Sequence, residues 1–157
     1  MQINLDNVAA DDFLGRAAIK RNEAAIALKA EKYDLAWQLQ HEVKSLYAQH
    51  CNKLNSLIGT TFGVDEIIRL DSSVSEDLAL ILMKQGKHAK ALSHLVYCYL
   101  GKGEYAGVSI NKKLKAYFNR AYKGKDFERF KRLIAPMPAD FVLNRDFVEN
   151  IYPTLND

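Results

Sequence analysis

Leu78 to Tyr99, LALILMKQGKHAKALSHLVYCY, narrows the possible folds more than any other stretch of the chain. Leu78, Ala79 and Leu82 recur at helical spacing before Gly86, and Ala91, Leu92, Leu95, Cys98 and Tyr99 recur the same way after it. Apolar residues three and four apart make one stripe of an amphipathic helix, so the pattern is two such helices. Gly86 breaks the chain between them, the stripes face each other across the turn, and the small Ala79 and Ala91 let the backbones approach closely. No sustained period-two alternation and no Asn-Gly or Asp-Gly turn competes with this reading anywhere in the chain. The expected fold class is therefore all-α.

The flanking sequence repeats the theme. Asn7, Asp11 and Asp12 offer N-caps for a helix running to about Ala30, with Leu14, Ala17, Ala18, Ala25 and Leu28 spaced for one face. After a turn near Lys32, Ala36, Leu39, Val43, Leu46, Tyr47 and His50 define a long second helix that Gly59 should close. The segment GTTFGVDEIIRLDSS reads as a connector with a turn or two of helix. Ser73 and Glu76 have capping-box spacing, which starts the next helix near Val74. Beyond Gly101 and Gly103, Ile110, Leu114, Tyr117, Phe118 and Ala121 share one face of a helix ended by Gly124. A shorter helix carries Phe127, Phe130, Leu133 and Ile134 up to Pro136, making a third hairpin. The tail holds Phe141, Val142, Leu143, Phe147, Val148 and Ile151, too apolar to be disordered, and is expected to dock as a capping helix.

With 157 residues, 48% of them apolar, the chain can form one domain, residues 1–157, with its own core. Its opening residues lack a signal-peptide pattern, and no apolar run is long enough to cross a bilayer. Cys51 and Cys98 fall inside helical patterns and define no disulfide framework, so a cytoplasmic chain with reduced thiols and no membrane contact is expected.

KAEKYDLAWQLQHEV (residues 29–43) and KQGKHAKALSHLVYC (residues 84–98) resemble the inter-helix turn and second helix of tetratricopeptide repeats. Ala36 and Ala91 stand at the small position of the second helix, and Ala79 at that of the first. YKGKDFERFKRLIA resembles the same turn more loosely, with Arg129 at the small position. The turns do not recur at that family's constant period. The resemblance implies antiparallel hairpins stacked as a short TPR-like right-handed array with a C-terminal capping helix. It also implies a groove for a protein segment and no chemistry of its own.

Charge supplies the functional signal. Residues 79–135 carry 13 Lys and Arg against 3 acids, whereas residues 1–78 carry 8 against 12 and residues 136–157 carry 1 against 4. Such asymmetry concerns partners rather than fold. On the helix after Gly107, Lys112, Lys113, Arg120 and Lys123 fall within about 100° of one another, opposite the apolar stripe. Lys87, Lys90, Arg129 and Arg132 extend this ridge. Its expected ligand is an acidic protein surface or segment, and the alternative is nucleic-acid phosphate. Tyr117, Phe118, Phe127 and Phe130 lie on core stripes, which argues against base stacking; Trp37, Tyr105 and Tyr122 are the candidate aromatic contacts. Trp37 sits at the edge of its core stripe and faces either a partner or the neighbouring hairpin.

Other constellations have plainer readings. His94 and Cys98 share a helix face, but a structural metal needs four ligands and core packing explains both, so no metal or cofactor is expected. The acid pairs Asp11-Asp12, Asp65-Glu66 and Glu76-Asp77 each lie near an expected helix start and read as caps. Nucleotide-binding and serine-hydrolase motifs are absent, and no catalytic residue is assigned. The expectation is a non-enzymatic adaptor or chaperone, of an oligomeric state the sequence leaves open.

Overall fold

A computed structural model describes residues 8–58 and 64–156. They form seven α-helices and no strand: α1 (Phe13–Lys29), α2 (Tyr33–Ile58), α3 (Val64–Lys84), α4 (His88–Lys102), α5 (Val108–Ala121), α6 (Phe127–Ile134) and α7 (Phe141–Asp146). A π-helical turn at Phe147–Ile151 and a 3₁₀ turn at Tyr152–Thr154 complete the chain. The all-α class holds. No helix among the described residues is long and apolar enough to cross a membrane.

The chain divides into two compact units, Met1–Val74 and Ser75–Asp157, with the division falling inside α3. In the first unit, Asp12 caps α1 by accepting from the Gly15 amide at 2.9 Å; Asn7 lies outside the described residues. Helices α1 and α2 are antiparallel. Lys53 near the end of α2 reaches Asp11 before α1 at 3.3 Å, and Lys20 pairs with Glu42 at 3.1 Å. Ala17, Val43 and Val74 form one buried cluster of its core, with Leu46 and Tyr47 packed against it. The face of α1 differs from expectation: Ala17, Ala24 and Ala27 are buried, while Leu14, Ala18 and Ala25 are exposed. Alanine and leucine surround this helix, so periodicity alone does not orient it.

The connector reading fails after residue 63. Helix α3 is continuous from Val64, and Ser73 lies in its interior, where its hydroxyl donates to the Leu70 carbonyl at 2.7 Å. A capping-box spacing marks a helix start only if the preceding backbone leaves the helix. Here the serines bond back to the previous turn instead. Gly59 falls outside the described residues.

In the second unit the hairpin across Gly86 forms as expected, with Leu78, Ala79, Ala91, Leu92, Leu95 and Cys98 all buried completely. Its turn and the α1–α2 turn share a hydrogen-bond pattern. The Lys32 amide donates to Ala27 and that of Glu31 to Leu28; the Lys87 amide donates to Leu82 and that of Gly86 to Met83. Both are Schellman closures with a left-handed residue, Glu31 at φ 59° in one and Gly86 at φ 75° in the other. Helix α5 packs beside α4. Phe118 lies completely buried at the centre of an aromatic cluster, with ring centroids 4.8 Å from Phe130, 5.5 Å from Phe127 and 5.8 Å from Tyr152.

The tail docks on α4 but only half buries its apolar residues. Val148 is fully buried and the Phe141 ring packs 4.5 Å from His94, while Val142, Leu143 and Ile151 stay exposed. The six-residue helix is too short to hold one face inward for long, and the π turn rotates the side chains after Asp146. Ser93, fully buried on α4, donates to the Glu149 carboxylate at 2.8 Å, and Tyr122 donates to the Val148 carbonyl.

Candidate interaction surface

Helix α5 places the central cations. Ile110, Leu114, Tyr117 and Phe118 are its buried residues, and at 100° per residue Lys112 falls opposite them with Arg120 about 80° away. Both are exposed, as are Lys87, Lys90, Lys123 and Arg132. Arg129 is half-buried. Helix α5 ends at Ala121, so Lys123 stands in the turn beside Gly124 and not on the α5 face.

Lys113 lies at the flank of the core stripe and is engaged within the unit. Its ammonium sits 2.6 Å from the Glu76 carboxylate, whose other oxygen is 3.9 Å from Lys102. The hydrogen bond to Glu76 pushes the Lys113 pKa above its usual value. Glu76 therefore ties α3 to α4 and α5 from the interior of α3. The acid pair it belongs to is not a helix cap, because α3 starts further back than its apparent capping box. The side chain of Asp65 lies outside what is described; Glu66 pairs with Arg69 at 2.7 Å.

Several other acids of this unit are also engaged internally. Asp126 caps α6 through the Glu128 and Arg129 amides, and Asp140 caps α7 through Leu143. Asp146 accepts from Asn150, and Glu149 accepts from Ser93. Among the described residues, no tail acid forms an ion pair with Lys87, Lys90, Lys112, Arg120, Lys123 or Arg132. Helix α4 has no acid in its first turn and no side-chain cap, so Lys87 and Lys90 add positive charge to the positive end of its dipole. Helices α4 and α5 are joined by a short 3₁₀ turn, Gly103–Tyr105. That antiparallel arrangement brings the start of α4 to the same end as Arg120 and Lys123.

The candidate aromatics fall in three different settings. Tyr105 is 69% exposed on the turn before α5. Tyr122 is half-buried, its ring 5.0 Å from Tyr152 and its hydroxyl bonded to the tail. Burial, then the Glu149 carboxylate and Tyr152, push its pKa up to about 12. Trp37 is half-buried on α2 with its ring 5.0 Å from His41, and a shallow surface depression there is lined by Trp37, Gln38, His41, Glu42 and Ser45. Burial, then Lys44, pull the His41 pKa down against the opposing pull of Asp71.

Among the described residues, no three His, Cys, Asp or Glu side chains are gathered as a metal site. Cys98 is fully buried, and burial followed by Glu76 raises its pKa to about 11. Such a thiol is a packing residue at neutral pH. No protein-family model, curated protein or solved structure matches this chain.

Proposed function

We propose that this chain is a non-enzymatic, cytoplasmic interaction module, an adaptor or chaperone, that holds an acidic protein segment against the cationic surface of residues 75–157. The observation that carries this reading is the mismatch of charge. Lys87, Lys90, Lys112, Arg120, Lys123 and Arg132 are exposed, while Glu76, Asp126, Asp140, Asp146 and Glu149 are committed to contacts inside the same unit. Residues 79–135 keep a large excess of positive charge, 13 Lys and Arg against 3 acids, and a partner's carboxylates would supply counter-charge with steering over about 10 Å at moderate salt. An acidic protein is favoured over nucleic acid because Tyr117, Phe118 and Phe130 are buried and offer no stacking face. A TPR-like stacking of the hairpins is part of this proposal.

The test is fluorescence anisotropy with labelled poly-glutamate and labelled single-stranded RNA at low and physiological salt. Binding of the acidic peptide, lost in a Lys112→Glu, Arg120→Glu, Lys123→Glu variant of unchanged helicity, is the expected result. Tight RNA binding with a steep salt dependence would transfer the surface to phosphate recognition. Binding of neither probe, or peptide binding indifferent to the triple reversal, would overturn the reading. Lys113 is left intact because its ion pair holds three helices together.

A further inference from the structure

Helix α1 carries two apolar faces, and only one of them is covered. Ala17, Ala24 and Ala27 are buried. On the other side Leu14 is 43% and Ile26 54% exposed, with Ala18, Asn22, Ala25 and Lys29 also exposed. At 100° per residue these residues and Gly15 occupy a sector of about 120°. A surface helix normally shows water a charged face, and one that is apolar on both sides is normally covered on both.

The exposed face is roughly symmetric about its middle, with opposite charges at its two ends. About a midpoint at Lys20, Leu14 mirrors Ile26, Gly15 mirrors Ala25, and Ala18 mirrors Asn22. Asp11, just before the helix, mirrors Lys29 in its last turn. Two such faces crossing antiparallel about a twofold axis place a leucine against an isoleucine at each end. Between them, where helix backbones come nearest, small residues meet, with the Asn22 of each copy opposite the Ala18 of the other. At either extremity a carboxylate meets an ammonium, and each positive helix end lies beside a negative one. A twofold contact demands a self-complementary patch of this kind. The Asp11 side chain is 73% exposed even with Lys53 3.3 Å away, so it can serve both lysines.

We propose that this face of α1 is a homodimer interface, occupied by α1 of a second copy of the chain running antiparallel to it. The charge complementarity of Asp11 with Lys29 argues for a second copy over an unrelated helix, since both charges and the apolar pattern come from one sequence. Helix α1 is about 25 Å long at 1.5 Å per residue, so the pair buries less than a standard interface, and the dimer exchanges with monomer in the micromolar range.

Sedimentation equilibrium on the full chain over roughly 1 to 300 µM tests this, a range set by the expected affinity. The weight-average mass should rise with concentration from 17.8 kDa toward twice that value. Ala18→Arg, at an exposed position, should keep helicity and unfolding midpoint while leaving the chain monomeric throughout. Asp11→Lys and Lys29→Asp should each weaken association about tenfold, and the double reversal should restore it. A wild-type chain that stays monomeric overturns the proposal. So does a dimer that ignores Ala18→Arg, or one that the double reversal fails to restore.

Discussion

Substitutions at the two matching hairpin turns should change stability in opposite directions. Glu31 and Gly86 close their turns with the same hydrogen bonds and the same left-handed backbone, but only one of them is glycine. A residue with a Cβ held there is strained by roughly 1–2 kcal/mol, from the approach of Cβ to the neighbouring carbonyl. Replacing it by glycine relieves that strain but loosens the unfolded chain, which takes back about 0.4–1 kcal/mol. Glu31→Gly should therefore stabilise its unit by about 0.5–1 kcal/mol, since the Glu31 side chain is exposed. Gly86→Ala should destabilise by a similar amount. A Cβ built at Gly86 meets nothing within 4 Å, so its cost is the backbone term alone. Urea unfolding separates the two effects. Trp37 is the only tryptophan and lies just after the Glu31 turn, so its fluorescence follows residues 1–74, while far-UV ellipticity follows the helices of both units. With a slope of about 1–2 kcal/mol per molar, each midpoint should move by roughly 0.3–1 M. A destabilising Glu31→Gly, or a Gly86→Ala without effect, would refute the argument that the left-handed position governs both turns.

The aromatic cluster of the second unit should be the site most sensitive to truncation. Phe118→Ala removes a fully buried ring touching four other aromatic side chains, and should cost about 3–5 kcal/mol by urea unfolding, enough to melt a small unit. Cys98 should resist Ellman's reagent at pH 8 in the folded chain and react at once in denaturant, because its thiol is buried with its pKa raised to about 11. Stability should fall steeply in alkali. The folded chain keeps Tyr122 neutral up to about pH 12 whereas an unfolded tyrosine ionises near 10, so the unfolded state sheds protons first between those values. Lys113 acts in the same sense: its raised pKa means its contribution is complete below about pH 10.5 and is lost as pH rises through the folded value. Absorbance at 295 nm should show delayed tyrosine ionisation that coincides with loss of ellipticity, and Tyr122→Phe should make the alkaline midpoint higher.

Elements with a local cause are legible in the chain alone. The Gly86 hairpin is one, because a left-handed residue ends one amphipathic stripe and begins another. The spacing picks out Leu78, Ala79, Leu82, Ala91, Leu92, Leu95 and Cys98, all buried, but it includes the half-buried Tyr99 and misses Ile81, Ser93, His94, Val96 and Tyr97, which α4 and its neighbours also bury. The core stripes of α2 and α5 and the breaks near Lys32 and Gly124 are legible for the same reason. Packing between helices settles the rest. Alanine is equally at home on either side of α1, so packing decides which alanines are buried: α1 lies against α2, and Ala17 meets Val43 and Val74. Ser73 and Glu76 satisfy a capping rule in sequence, yet the backbone before them stays helical, and Glu76 instead serves Lys102 and Lys113 from other helices. The cationic surface divides the same way. Composition places the charge in residues 79–135, but only the folded unit shows Lys113 and the tail acids engaged with their own neighbours while Lys112, Arg120 and Lys123 remain exposed. A charge's partner is set by distance in space, which a one-dimensional pattern does not contain.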